Sequence, residues 1–268
     1  MIAEKLARLR EMLYILRYHA ADNSSRTVLA GCYLSILRST TDQTPVSFKL
    51  KICNRVFPFH MRRCDIFTIA EILYERQYDL ATPLPKNPVI VDAGANIGVS
   101  CIWLLANNPG ATLIAFEPAP DNFTFLKHNL GYIEGVTLHQ EALGDHPGTV
   151  DLHLAKHGAV HSIVDVDVGS ETIAVPMVTL KDRLDSHSIT HIDLLKLDVE
   201  GSELDVIRGL GELLDNVNTV VGEVHEHLID TEGFYSLLEQ HRIRPVSKQY
   251  FGSGKSDGVH AFEATRTN

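Results

Sequence analysis

The chain has 268 residues, 44% hydrophobic and 22% charged, enough to bury a core without staples, which excludes disordered and coiled-coil readings. Its 24 Lys+Arg against 34 Asp+Glu leave a formal net charge of -10, which argues against a surface built to neutralise nucleic-acid or lipid phosphates. A neutral or cationic ligand is expected instead. The four cysteines (Cys32, Cys53, Cys64, Cys101) show neither C-x-x-C spacing nor a disulfide framework and read as reduced thiols of a cytoplasmic protein.

The N-terminal stretch MIAEKLARLREMLYILRYHA interleaves Lys5, Arg8, Arg10, Glu4 and Glu11 with apolar residues, unlike a secretory signal, and no apolar run reaches the roughly 18 residues of a bilayer span. Leu6, Leu9, Leu13 and Leu16 recur at helical spacing, which predicts an amphipathic helix facing the core or a second copy of the chain. A strand is expected over 46–52 and a helix over about 65–78, with Phe67, Ile69, Ile72 and Leu73 inward. Three prolines in PLPKNP (83–88) mark a boundary, dividing an N-terminal helical cap (1–82) from the main domain (83–268).

From Val89, β-branched runs alternate with amphipathic helices, the pattern of a parallel sheet covered on both faces. Strands are predicted at 89–93, 112–117, 136–140, 192–199 and 219–224, and helices at about 99–107, 121–130, 180–185 and 202–214. Segments 150–155 and 172–178 alternate at period two and read as an inserted β-hairpin. The C-terminal segments RPVSKQYF and VHAFEATR predict a closing antiparallel pair.

The sharpest local signal is Val91-Asp92-Ala93-Gly94-Ala95-Asn96-Ile97-Gly98, where the first buried strand gives way to a helix. Gly94 and Gly98 allow a sharp turn and close ligand approach there. Glu117, ending the next strand before Pro118, is placed to accept both hydroxyls of an adenosyl ribose. A dinucleotide would present a pyrophosphate to a G-x-G-x-x-G turn, but the spacing here is G-x-N-x-G. Asp92, Asp198 and Glu200 are expected to crowd the same rim, repelling phosphate and favouring a ligand with an ammonium and a sulfonium, as in S-adenosylmethionine.

The ordered blocks VDAGANIG, FEPAPDNFTFLKHN, EALGDHPG, LLKLDVEGSELDVIRG and GEVHEH resemble the FkbM-type family of S-adenosylmethionine-dependent methyltransferases over roughly 65–227. Residues 1–64 match loosely. The resemblance implies an α/β fold of the Rossmann-like class I methyltransferase type, with a mostly parallel seven-stranded sheet and an antiparallel C-terminal strand. It also implies O-methylation of a sugar, polyketide or other natural-product hydroxyl. By that resemblance Asp92, Gly94, Asn96 and Gly98 hold the methionine end of the cofactor, with Asp198 beside them. Glu117 and Pro118 meet the ribose, Ala142 and Leu143 the adenine face, and Asp145 the adenine amino group. Ser162 lies near the cofactor.

Methyl transfer requires alignment, exclusion of water and removal of the acceptor's hydroxyl proton. His225 is the expected general base, since imidazole titrates near neutrality, and Asp198 and Glu200 complete the catalytic set. Asp198 with Glu223 forms a candidate magnesium site, because carboxylates suit that ion. Tyr74, Tyr78 and Tyr132 are candidate acceptor-pocket rings or packing residues. The resulting expectation is a cytoplasmic O-methyltransferase acting on a small-molecule hydroxyl, without nucleic-acid or membrane partners and with homodimerisation through the N-terminal helices. The alternatives are a nicotinamide-dependent oxidoreductase on a related sheet and a catalytically silent adenosyl-binding module.

Overall fold

The computed structural model describes residues 2–154, 171–250 and 258–267. Helix α1 (Ile2–Tyr18) leads to α2 (Asn23–Ile36), whose first turn is capped by the Asp22 carboxylate accepting from the Ser25 N–H at 2.8 Å. Strands β1 (Pro45–Ile52) and β2 (Arg55–Arg62) then form an antiparallel hairpin. Its two-residue turn, Cys53-Asn54, holds both residues at positive φ, as the twist of a tight hairpin demands. A short 3-10 turn passes into α3 (Ile66–Leu73), which ends five residues before the predicted limit and is followed by a chain reversal with Arg76 at φ 58°.

The main sheet forms from β3 (Val89–Ala93), β4 (Thr112–Phe116), β5 (Val136–His139), β9 (Ile192–Leu197), β10 (Val217–His225), β11 (Ile243–Tyr250) and β12 (Val259–Arg266). Their spatial order is β11-β12-β10-β9-β3-β4-β5. The β5-β4-β3-β9-β10 run is parallel, and β12 threads antiparallel between β10 and β11. The expected closing pair is therefore present, with the last strand one place in from the edge. Helices α4 (Val99–Asn107), α5 (Pro120–Leu130), α6 (Leu180–Ser186), α7 (Glu203–Leu210) and α8 (Thr231–Gln240) connect these strands. Helices on both faces explain why β9 is buried at every position. The predicted inserted hairpin is β7 (Gly148–Leu154) with β8 (Glu171–Thr179), joined by the short β6 (Ala142–Gly144) in a separate, three-stranded sheet.

After β3 the chain builds outward through β4 and β5, then returns to β9 on the opposite side of β3. The carboxyl ends of β3 and β9 are thus the switch point at which open α/β sheets bind ligands.

The N-terminal segment is tied to this frame by buried polar links. Asn129 on α5 donates to the carbonyls of Ile97 (2.8 Å) and His60 (2.9 Å) and accepts from the His60 N–H at 2.7 Å. Arg62, almost wholly buried, binds Asp65 (2.9 Å), Asp121 (2.8 Å) and Asn122 (2.6 Å). Leu29, Leu50, Phe59 and Ile69 pack in one cluster with Ile97, Ile102 and Leu126. The leucine stripe of α1 turns the other way: Leu6, Leu9 and Leu13 are about half exposed, while Glu11 and Ile15 face inward. No described helix is long and apolar enough to cross a membrane.

Asn129→Ala deletes three hydrogen bonds of a buried side chain and strands their backbone partners. Urea denaturation is expected to show a loss of about 2–4 kcal/mol, whereas a loss within 0.5 kcal/mol would contradict this linking role.

Candidate functional site

The glycine loop is pinned between strands. Gly94 has φ 84°, and a Cβ there would fall 1.8 Å from the Asp198 carbonyl oxygen, so no side chain is accommodated. Asn96 is itself held at φ 50°. Glu117 reaches across from the end of β4: one carboxylate oxygen accepts from the Asn96 N–H (2.8 Å) and the other from the Ala119 N–H (2.9 Å). Glu117 thus fixes the loop as well as lining the cleft, and an ionised carboxylate retains further lone pairs for ligand hydroxyls.

Two cavities meet at this loop. A cleft on one side is lined by Phe116, Glu117, Pro118, Ala142, Leu143 and Ser202. On the other lies a chamber of about 430 Å3 whose lining includes Glu71, Gln77, Tyr78, Lys196, Glu223 and His225. Gly94, Asn96, Asp198 and Glu200 belong to both. The buried Asn96 Oδ1 and Ser202 Oγ atoms have no hydrogen-bond partner among the described residues.

Several expectations are corrected here. Asp92 is fully buried and lines neither cavity. Its carboxylate accepts from the Ser100 hydroxyl at 2.6 Å and pairs with the Lys196 ammonium at 3.1 Å. It acts behind the loop, because the sequence places a lysine on the adjacent strand at Lys196, opposite Asp92 in register. Gly98 contacts α5 instead of a ligand: a Cβ there would lie 2.5 Å from Leu130 Cδ1. Asp145 is turned toward His146 at 2.5 Å and is absent from the cleft lining. Tyr132 is more than half exposed and Tyr74 packs on Tyr14, whereas Tyr78 enters the chamber and donates to Asp198 at 3.0 Å. Ser162 lies outside the described residues.

Lys196 is the main residue the sequence reading passed over. Its ammonium donates to the Gly94 carbonyl at 2.6 Å and lies 3.1 Å from Asp92 and 3.5 Å from Asp198. Burial alone would push it toward neutrality, but Asp92 and Asp198 outweigh that and hold its pKa above the ordinary lysine value. A lysine within the otherwise apolar run Leu-Leu-Lys-Leu of a strand buried at every position was the available signal.

His225 is corrected in its role. Its Nε2 meets Glu200 at 3.0 Å and its Nδ1 meets the fully buried Glu203 at 2.8 Å. Burial favours the neutral ring, but hydrogen bonds and charges from Glu200 and Glu203 prevail and carry the pKa up to about 11. At neutral pH both ring nitrogens donate, leaving no lone pair to take a proton. His225 is a clamp: it fixes Glu200, whose backbone sits at φ 52°, over the junction of the two cavities.

The metal expectation fares similarly. Asp198, Glu200 and His225 bring candidate ligand atoms within 4.8 Å of one another, but Glu223 is not in that group. Lys196 beside Asp198 and the imidazolium beside Glu200 already supply positive charge, and neither suits a neighbouring divalent cation. The residues do not fit a magnesium centre.

A raised histidine pKa stabilises the fold fully below the unfolded value near 6.5, and that contribution is lost as pH rises toward about 11. Thermal melts should therefore show wild type exceeding His225→Gln most at pH 6–6.5, with the gap shrinking by pH 10. A gap that widens with pH would contradict the clamp.

A family model described as "Methyltransferase FkbM domain" matches residues 92–245. "Methyltransferase 1" of Beauveria bassiana is 33% identical over 196 residues, covering 65% of this chain and 78% of that protein. The "31-O-demethyl-FK506 methyltransferase FkbM" of Streptomyces tacrolimicus is 29% identical over 220 residues, covering 68% and 83%. The "2-O-methyltransferase NoeI" of Sinorhizobium fredii is 28% identical over 156 residues, covering 51% and 63%. With more than half of its length matched by that model, the chain belongs to the FkbM methyltransferase family.

Proposed function

We propose that the protein is an S-adenosylmethionine-dependent O-methyltransferase acting on a hydroxyl of a small molecule such as a sugar, polyketide or other natural product. The observation that carries this reading is the junction of the two cavities at Gly94, Asn96, Asp198 and Glu200. A nucleoside can occupy the cleft while an acceptor approaches from the chamber. Relatives named as a 31-O-demethyl-FK506 methyltransferase and a 2-O-methyltransferase support transfer to oxygen.

The residues present fit the cofactor. Asn96 Oδ1 and Ser202 Oγ are buried polar atoms awaiting a partner, which ligand polar groups would satisfy. Glu117 would hold the ribose, Pro118, Ala142 and Leu143 the nucleoside faces, and Asp198 with the Gly94 loop the methionine end. When bound, S-adenosylmethionine supplies a methyl group activated by positively charged sulfur. The chain's part is positioning: Lys196 sets the loop, the His225 clamp sets Glu200, and Tyr78 orients Asp198.

We assign residues 1–82 the role of acceptor cover, since Thr68, Glu71, Ile72, Gln77 and Tyr78 form one wall of the chamber. The outward leucine stripe of α1 supports self-association as the use of that helix. The acids left at the junction disfavour a pyrophosphate, and Glu117 and Asp198 both stand in place, which favours an active enzyme over a silent module.

Calorimetry should show S-adenosylhomocysteine binding to the purified chain and no binding of NAD. Glu117→Gln should weaken that binding about tenfold or more, because hydrogen bonds to a charged group are worth about 1.5–3 kcal/mol. Methyl-labelled S-adenosylmethionine incubated with a small-molecule extract of the producing cell should label an ether on mass spectrometry. Tight NAD binding without response to the nucleoside thioether would overturn the reading.

A further inference from the structure

With His225 protonated on both nitrogens, the methyl-transfer reading lacks a proton acceptor, and the chamber walls narrow the choice. Asp198 accepts from the Tyr78 hydroxyl at 3.0 Å and faces the Lys196 ammonium at 3.5 Å. Glu200 is paired with the imidazolium at 3.0 Å. Both carboxylates are thus engaged by a close cationic partner, Asp198 by Lys196 and Glu200 by His225. Glu71 on α3 also lines the chamber, and desolvation with repulsion from Asp198 carries its carboxyl up to about 7, but among the described residues no hydrogen bond orients its side chain.

Glu223 is set apart by the partner that orients it. It projects from the carboxyl-terminal half of β10 into the chamber, and its hydrogen-bond donor is the uncharged amide of Gln77. The His225 ring is 4.0 Å away and is already engaged by Glu200 and Glu203. On the neighbouring β12 the residues opposite Glu223 and His225 are the uncharged Ala261 and Val259. We propose that Glu223 is the catalytic base that removes the proton of the acceptor hydroxyl, with Gln77 orienting its carboxylate. This rests on the methyltransferase reading above and deepens it.

The step balances simply. The hydroxyl proton passes to a Glu223 carboxylate oxygen while the acceptor oxygen's electron pair forms the new C–O bond and the C–S pair returns to sulfur. Water takes the proton from Glu223 after the methylated product leaves. The electrostatics agree with this use. Burial first, and then repulsion from Asp198 and Glu71, hold the Glu223 carboxyl well above the usual carboxylate range, with His225 and Gln77 opposing. A carboxyl so raised is a stronger base than an exposed glutamate. A sulfonium at the junction favours its ionised form, so cofactor binding itself readies the base.

The test pairs a binding measurement with a transfer measurement on the full chain. S-adenosylmethionine and S-adenosylhomocysteine are titrated calorimetrically at pH 7 in phosphate and in Tris, whose different ionisation enthalpies reveal proton exchange. For wild type we expect the sulfonium ligand to release up to about one proton more than the thioether, an excess absent from Glu223→Gln. Glu223→Gln should bind S-adenosylhomocysteine within about threefold of wild type and lose about 10²-fold or more of label transfer to the extract. Glu223→Asp should recover part of that transfer.

Transfer by Glu223→Gln within fivefold of wild type, or an undiminished proton release, would remove Glu223 from this role. Loss of S-adenosylhomocysteine binding in that variant would make Glu223 structural and also overturn the proposal. Failure of wild type to bind either nucleoside would instead bring down the methyltransferase reading itself.

Discussion

The site depends on one buried cation. Lys196 sits inside the central sheet, with its ammonium among the Gly94 carbonyl, Asp92 and Asp198. Desolvating an ammonium costs several kcal/mol, so the charge persists only because oxygens from β3, the glycine loop and the end of β9 surround it. That requirement joins the two strands at the switch point. It fixes the turn at Gly94 and orients Asp198 toward the chamber. Removing any one oxygen leaves a charge without its partner, which couples loop geometry to fold stability.

Around this cation the acids divide by depth. Asp92 and Glu203 are sealed in and serve to position Lys196 and His225. Asp198, Glu200 and Glu223 reach the cavities. The crowd of carboxylates at the sheet rim is therefore partly neutralised from within by an ammonium and an imidazolium. The negative charge left facing the cavities comes from a smaller set of acids than the sequence alone suggests.

The chamber's other wall comes from a different part of the chain. The wall built from Thr68 to Tyr78 packs against the glycine-loop helix through the shared hydrophobic cluster and is held by the Arg62 and Asn129 links. The family match begins at residue 92, after this wall. Changes before residue 92 can therefore alter the chamber while leaving the glycine loop intact.

The strands β3 and β9, the helix α4 and the glycine loop were legible because burial on both faces leaves a run of branched apolar residues, and a positive φ calls for glycine. α2 and β2 were missed: α2 is weakly patterned, and β2 carries Pro58 after an unusual Cys-Asn turn. The leucines of α1 announced a helix, but periodicity names a face without naming its neighbour, and the buried side proved to be that of Glu11 and Ile15.

By itself, then, the sequence determined most of the strands from Val89 onward, the turn at the first strand and the types of residue gathered at its rim, because these follow from local periodicity and backbone sterics. Only the tertiary structure decided which acids are neutralised, that His225 is a clamped cation and that Asp92 stands behind the loop. A protonation state depends on distances between residues far apart in the chain: Lys196 and Asp92 are 3.1 Å apart in space, and that spacing has no counterpart in sequence order.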